Sequence, residues 1–190
     1  MVKKITFDTS LAGLTDRSGE GNGTNSDQYH AEVTNGIHTA MSGLLMTGKR
    51  YFEVRIDSLT NYLMIGLVDA GAGASAVNYG GNTVSLIYQS GNTRYPGGSG
   101  TSITPSMQVG AILGFAYDTA TGEVWFSINN DFGNKVPGTD AGWTIGSYSG
   151  NGNSGMKLGF TGGSSGVNHK GTIFRGNDLT YSVPAGFLSH

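Results

Sequence analysis

Carboxylates are the first residues to test for chemistry, because a pair at the right separation can hydrolyse a glycosidic bond. Glu53 and Asp57 are the closest candidates on one stretch of chain. A retaining glycosidase needs its two carboxyl groups ~5.5 Å apart. Four residues of extended chain, at about 3.3 Å each, separate these two by ~13 Å. Arg55 lies between them, so the spacing predicts a solvated ladder of charges along one strand face. Glu123 beside Trp125 suggests a sugar platform; a hairpin end with an exposed aromatic is the plainer expectation.

Other chemistries find no footing. The four histidines, His30, His38, His169 and His190, lack metal-ligand spacing. Asp131 and Asp140 are the carboxylates that could hold calcium between loops. With no cysteine, thiol nucleophiles, disulfides and Cys-ligated zinc are excluded. Residues 150–155 (GNGNSG) match the dinucleotide pattern G-x-G-x-x-G. That pattern works only where a strand leads into a helix, whose N-terminus holds the pyrophosphate. Here the following Met156-Lys157-Leu158-Gly159-Phe160 alternates as a strand, so no cofactor is expected. The sequon Asn22-Gly23-Thr24 stands without an export signal behind Met1.

What remains is binding. Asn78, Tyr79, Asn92, Arg94, Tyr95, Trp143 and Tyr148 sit in or beside glycine-rich stretches, and tyrosine, tryptophan and arginine are effective interface anchors. For Tyr79 and Trp143, packing beneath the loops is the competing expectation.

The elements that position these residues read as strands. The chain has 190 residues and a formal net charge of -2, with 33 glycines, 4 prolines and 19 aromatic residues (8 Phe, 9 Tyr, 2 Trp). Glycine at this density disfavours helices and suits turns, and the aromatic content argues for a packed core. No basic stripe exists to collect phosphates, so nucleic acid is not an expected partner. No apolar run approaches the ~20 residues of a spanning helix, so no membrane insertion is expected.

Period-two alternation recurs. Phe52, Val54 and Ile56 point one way while Glu53, Arg55 and Asp57 point the other, which predicts a strand with one face in water. Val124, Phe126 and Ile128 alternate inward likewise. Residues 62–68 are almost wholly apolar and predict a central strand covered on both faces. Ala111, Leu113, Phe115 and Tyr117 line another strand, joined to the next by the turn Asp118-Thr119-Ala120-Thr121-Gly122. Residues 71–76, 97–100, 150–155 and 162–166 read as glycine-rich loops. Residues 1–190 are expected to form one antiparallel two-sheet β-sandwich, all-β in class.

Four segments, in order, resemble the SPRY domain of the concanavalin A-like sandwiches. They are Gly48-Lys49-Arg50-Tyr51-Phe52-Glu53-Val54, Met64-Ile65-Gly66-Leu67-Val68, the stretch from Val109 to Asn130, and Leu179-Thr180-Tyr181-Ser182-Val183-Pro184-Ala185-Gly186-Phe187. The resemblance implies a bent antiparallel sandwich with a loop-built binding surface and no catalytic machinery. Ile5-Thr6-Phe7-Asp8 and the polar sequence behind it are similar to free-standing bacterial and bacteriophage versions. The expectation is therefore a non-catalytic virion-surface protein, either a capsid decoration protein or a tail-associated adhesin, assembled in the host cytoplasm. Its expected partners are other virion proteins or a surface glycan or protein receptor, met by multiple copies on a symmetric particle. A bacterial lectin-like carbohydrate-binding module and a peptide-binding adaptor are the alternatives.

Overall fold

The computed structural model describes residues 30–41, 47–60, 62–69, 83–89, 92–94, 102–103, 105–144, 155–174 and 176–189. Among them are eleven strands: β1 (His30–Met41), β2 (Lys49–Ser58), β3 (Tyr62–Asp69), β4 (Thr83–Gln89), β5 (Asn92–Arg94), β6 (Ser102–Ile103), β7 (Ile112–Asp118), β8 (Glu123–Ile128), β9 (Trp143–Thr144), β10 (Met156–Phe174) and β11 (Leu188–Ser189).

The sandwich is built around one long strand. β10 runs for 19 residues and pairs with β1 along one edge. Its other edge is shared. Met156–Gly162 pair with β3, and Lys170–Phe174 pair with β2. The sheet thus divides into a β3-β4-β5-β6 wing and a β2-β7-β8-β9 wing. The inward side chains of the two wings share one core. Leu63, Ile65 and Leu67 from β3 meet Phe52, Val54 and Ile56 from β2, with Leu113, Phe115 and Phe126 between. Phe115 stacks on Phe52 at 4.9 Å and meets Phe126 edge-on at 5.4 Å, both favoured aromatic geometries. This is a two-layer antiparallel β-sandwich, as the alternation predicts.

The expected hairpin is present. β7 and β8 pair from Asp118↔Glu123 to Leu113↔Ile128. Asp118 Oδ1 accepts the Ala120 N–H at 2.9 Å, and Gly122 supplies the positive φ of 75° that closes the turn.

Three expectations are corrected. Residues 162–166 are not a loop: they lie within β10, where Gly162, Gly163 and Ser164 face His38, Ile37 and Gly36 of β1. Glycine there accommodates the stretch where the strand passes from one wing to the other, next to a register shift between Thr34 and Gly36. Glu53 is not in a solvated ladder, since it is fully buried. Only Arg55 and Asp57 of the three keep surface, joined by a 2.6 Å ion pair. Trp125 is not an exposed aromatic at a hairpin end, being 2% exposed.

The last two corrections have one cause. The chain from Gly176 onward crosses the outer face of β2, β7 and β8 and covers it. Phe187, Leu179 and Val183 pack on Tyr51, Ala116 and Trp125. β11 adds to β2 in parallel, with Leu188 opposite Arg50. No helix among the described residues is long and apolar enough to cross a membrane. The 71–76 and 97–100 loops, Asn22 and Ile5–Asp8 lie outside the described residues, as do residues 150–154. Met156 does begin a strand, as expected.

Candidate functional site

The edge of β8 sets the site. Beside β7, the Ile56 N–H donates to the Ala111 carbonyl and the Gly110 N–H to the Ile56 carbonyl, which fixes which main-chain groups of β7 face β2. By the alternation of antiparallel ladders, the main-chain groups of Glu123, Trp125 and Ser127 then bond to β7, while those of Val124, Phe126 and Ile128 point to the other edge of β8, their side chains staying in the core. Val124 meets Trp143 of β9 there, and Ile128 meets Asp131. Asn129 and Asn130 form the intervening two-residue turn with φ of 52° and 67°, the left-handed pair of a type I′ hairpin. Asn129 Oδ1 also accepts the Ile112 N–H at 2.9 Å.

That turn sends residues 131–142 back along the β8 edge. Asp131 Oδ1 accepts the Gly133 N–H at 2.7 Å, and Asp140 Oδ2 accepts the Val136 N–H at 2.7 Å. Lys135 Nζ donates to the Ala141 carbonyl at 2.5 Å and lies 5.3 Å from the centre of the Trp143 ring. Trp125 Nε1 donates to the Asp140 carbonyl at 2.9 Å. Glu123 Oε1 accepts the Gly142 N–H at 3.0 Å, and its Oε2 takes the Thr121 hydroxyl. Every carboxylate near this loop therefore spends at least one oxygen on local architecture.

Between this loop and β6, at the edges of the two wings, lies a cleft of about 530 Å³. Ile103, Pro105, Phe132 and Trp143 supply its apolar lining. Ser102, Asp131, Asn134 and Lys135 supply the polar groups. The volume is in the ordinary range for a ligand site, and opposite charges leave it without a dominant sign.

The second polar feature lies under the C-terminal segment. Glu53 Oε1 accepts the Tyr51 hydroxyl at 3.1 Å and the Tyr181 N–H at 2.9 Å; its Oε2 accepts the Thr180 N–H at 2.7 Å. Burial pushes the Tyr51 phenol well above its ordinary range, and the neighbouring Glu53 carboxylate pushes it further. Ser127 Oγ is buried beside this group without a hydrogen-bond partner. The Glu53 carboxylate thus holds the backbone of the C-terminal segment. Among the described residues, no cluster of three or more His, Cys, Asp or Glu could hold a metal. Asp131 and Asp140 are each bound into their own turn.

Of the seven binding candidates, Trp143 lines the cleft, half-buried and packed on the main core. Asn92 and Arg94 are placed on β5 by their backbone, and Arg94 pairs with Ser102, a cleft residue. The two wings thus bring Trp143 and the Arg94 position to the same edge. Asn78, Tyr79, Tyr95 and Tyr148 lie outside the described residues. Phe132, Asn134 and Lys135 are cleft residues that the sequence reading missed. Their signal was the Asn129-Asn130 turn with Gly133 behind it, which marks a chain reversal at a strand edge.

No protein-family profile matches the chain, and no curated protein matches it. Solved structures do. The crystal structure of the TRIM65 PSpry domain aligns at a TM-score of 0.57 and 15% identity, over 90% of this chain and 92% of that one. The stonustoxin structure aligns at 0.58 and 13%, over 90% of this chain and 28% of that one. The SPRY domain of human HERC1 aligns at 0.50 and 11%, over 83% and 99%. The two-wing sandwich is similar in fold to the concanavalin A-like β-sandwiches, and among them to SPRY domains.

Proposed function

We propose that this chain is a non-catalytic binding module that docks on a protein surface through the cleft between β6 and the 131–142 loop. One observation carries the reading: the cleft gathers aromatic, amide and charged side chains at the meeting edge of the two wings, with its lining carboxylate, Asp131, engaged in a turn. A few anchors of this kind supply most of the energy of a protein interface.

The setting proposed is the surface of a bacteriophage particle, as a head decoration or tail-associated protein. The supports are the charge-poor, glycine-rich composition and the similarity of Ile5-Thr6-Phe7-Asp8 and the polar, glycine-rich sequence behind it to free-standing bacterial and bacteriophage versions. Symmetry-related copies on a particle would add avidity without new contacts.

The test is occupancy on purified particles from cells encoding the protein, measured by mass spectrometry and cryo-EM. The double substitution Asn134→Ala, Lys135→Ala should lower occupancy at least about tenfold, the effect of losing ~1.4 kcal/mol of docking energy. Absence of the unaltered protein from particles removes the phage setting, and a glycan array then tests the lectin reading. Unchanged occupancy in the variant removes the cleft as the docking surface.

A further inference from the structure

We propose that Glu53 is a positioning residue for the cleft: through the C-terminal strap, residues 176–189, it sets the wall formed by the 131–142 loop. The inference rests on the cleft reading for its functional consequence, while the coupling itself is a property of the free chain.

The path is continuous. Glu53 is fully buried, and no cation among the described residues pairs with it. Its carboxylate instead takes two consecutive main-chain N–H groups of the strap, Thr180 and Tyr181. So anchored, the strap lays Leu179, Val183 and Phe187 on Tyr51, Ala116 and Trp125. Phe187 meets Trp125 edge-on at 5.6 Å. Arg50 Nη1 donates to the Ser189 carbonyl at 3.1 Å and holds the far end.

The loop rests on this layer at three places. Phe132, a cleft residue, packs on the same aromatic cluster. Trp125 bonds the Asp140 carbonyl. Gly138 approaches so closely that an added Cβ would lie 3.2 Å from the Phe187 ring and 2.9 Å from Lys49 Nζ. Strap and loop thus meet at the same Trp125, and Phe187 also lies against Gly138 of the loop. Whatever loosens the strap removes support from the cleft wall, and by linkage a partner that orders the wall tightens the strap.

Glu53→Gln tests this in the full-length chain. Three donors converge on two oxygens, so the amide NH2 must face at least one N–H or O–H. Hydrogen exchange should accelerate roughly ten- to hundredfold in residues 177–189 and also in 131–142, with β3 unchanged. Phe187→Ala, which leaves the carboxylate intact, should give the same two-segment pattern from the strap's other end. Acceleration in the strap alone overturns the coupling. No acceleration anywhere overturns the anchor. Equal acceleration in β3 reduces Glu53 to a contributor to global stability and overturns the proposal as well. Because no ligand is used, the exchange pattern and the particle-occupancy result can fail independently.

Discussion

Three neighbouring side chains make opposite predictions although all are buried. Removing Glu53 leaves the Thr180 and Tyr181 N–H groups and the Tyr51 hydroxyl without their acceptor. Glu53→Ala should therefore cost about 2–4 kcal/mol, since buried donors left unmade carry their full desolvation penalty. A strand face in water would have predicted less than about 1 kcal/mol for the same change. Ser127→Ala removes an oxygen that makes no well-formed hydrogen bond and lies against the Tyr51 phenol, and should change stability by less than about 1 kcal/mol. Gly114→Ala puts a methyl group onto Ser127 Oγ and 2.6 Å from the Tyr51 hydroxyl, and should cost about 1–3 kcal/mol. Urea denaturation of the three variants checks the ranking; Ser127→Ala falling below Glu53→Ala would overturn it.

At the scale of the element, the β7–β8 hairpin is the best-specified unit. Its turn chemistry, its alternation and its pairing all agree, which is the condition for one local structure to win. Phe126 projects from it into the main core, 2% exposed and edge-on to Phe115. Phe126→Ala should cost about 3–5 kcal/mol, the range for deleting a buried aromatic, read as a lower denaturation midpoint with an unchanged slope. β10 is the opposite case. Its middle carries Gly162, Gly163 and Gly166, which score as a loop by any local rule. Its strand character comes from β1, paired across the sheet from far away in sequence.

Among the described residues, two phenols are held out of water, one on each side of the β2-β7-β8 wing. Tyr51 lies beneath the strap, and Tyr117 faces the main core. Burial raises both above their ordinary range; Glu53 adds to the effect at Tyr51, and Arg50 partly offsets it at Tyr117. Raised values in the fold mean that ionisation favours the unfolded chain. Stability from these groups is complete below the free-phenol value of about 10 and declines as pH rises beyond it. Thermal unfolding should show a flat phenol contribution up to about pH 9.5 and a steep fall above pH 10, reduced in Tyr51→Phe. A midpoint in Tyr51→Phe that falls as steeply as in the unaltered chain would place the alkaline transition elsewhere.

The strand class, the inward residues of β2, β3, β7 and β8 and the hairpin were legible in the chain alone, because a period of two is visible in any short window. The SPRY resemblance was legible too, carried by four motif segments in order. Tertiary structure alone decided which outward faces stay in water. Glu53 and Trp125 alternate as solvent residues do, and the return of residues 176–189 over their sheet, joined at Trp125 by the 131–142 loop, buries them. The same holds for the cleft. Trp143 was legible as an anchor type, but its meeting with Ser102 and Lys135 depends on two sheet edges brought together by the division of β10 between wings. Local pattern encodes the direction a side chain takes from its own strand. What waits at the end of that direction is supplied by chain outside the strand's own window, 127 residues away for Glu53 and Thr180, where no local periodicity reaches.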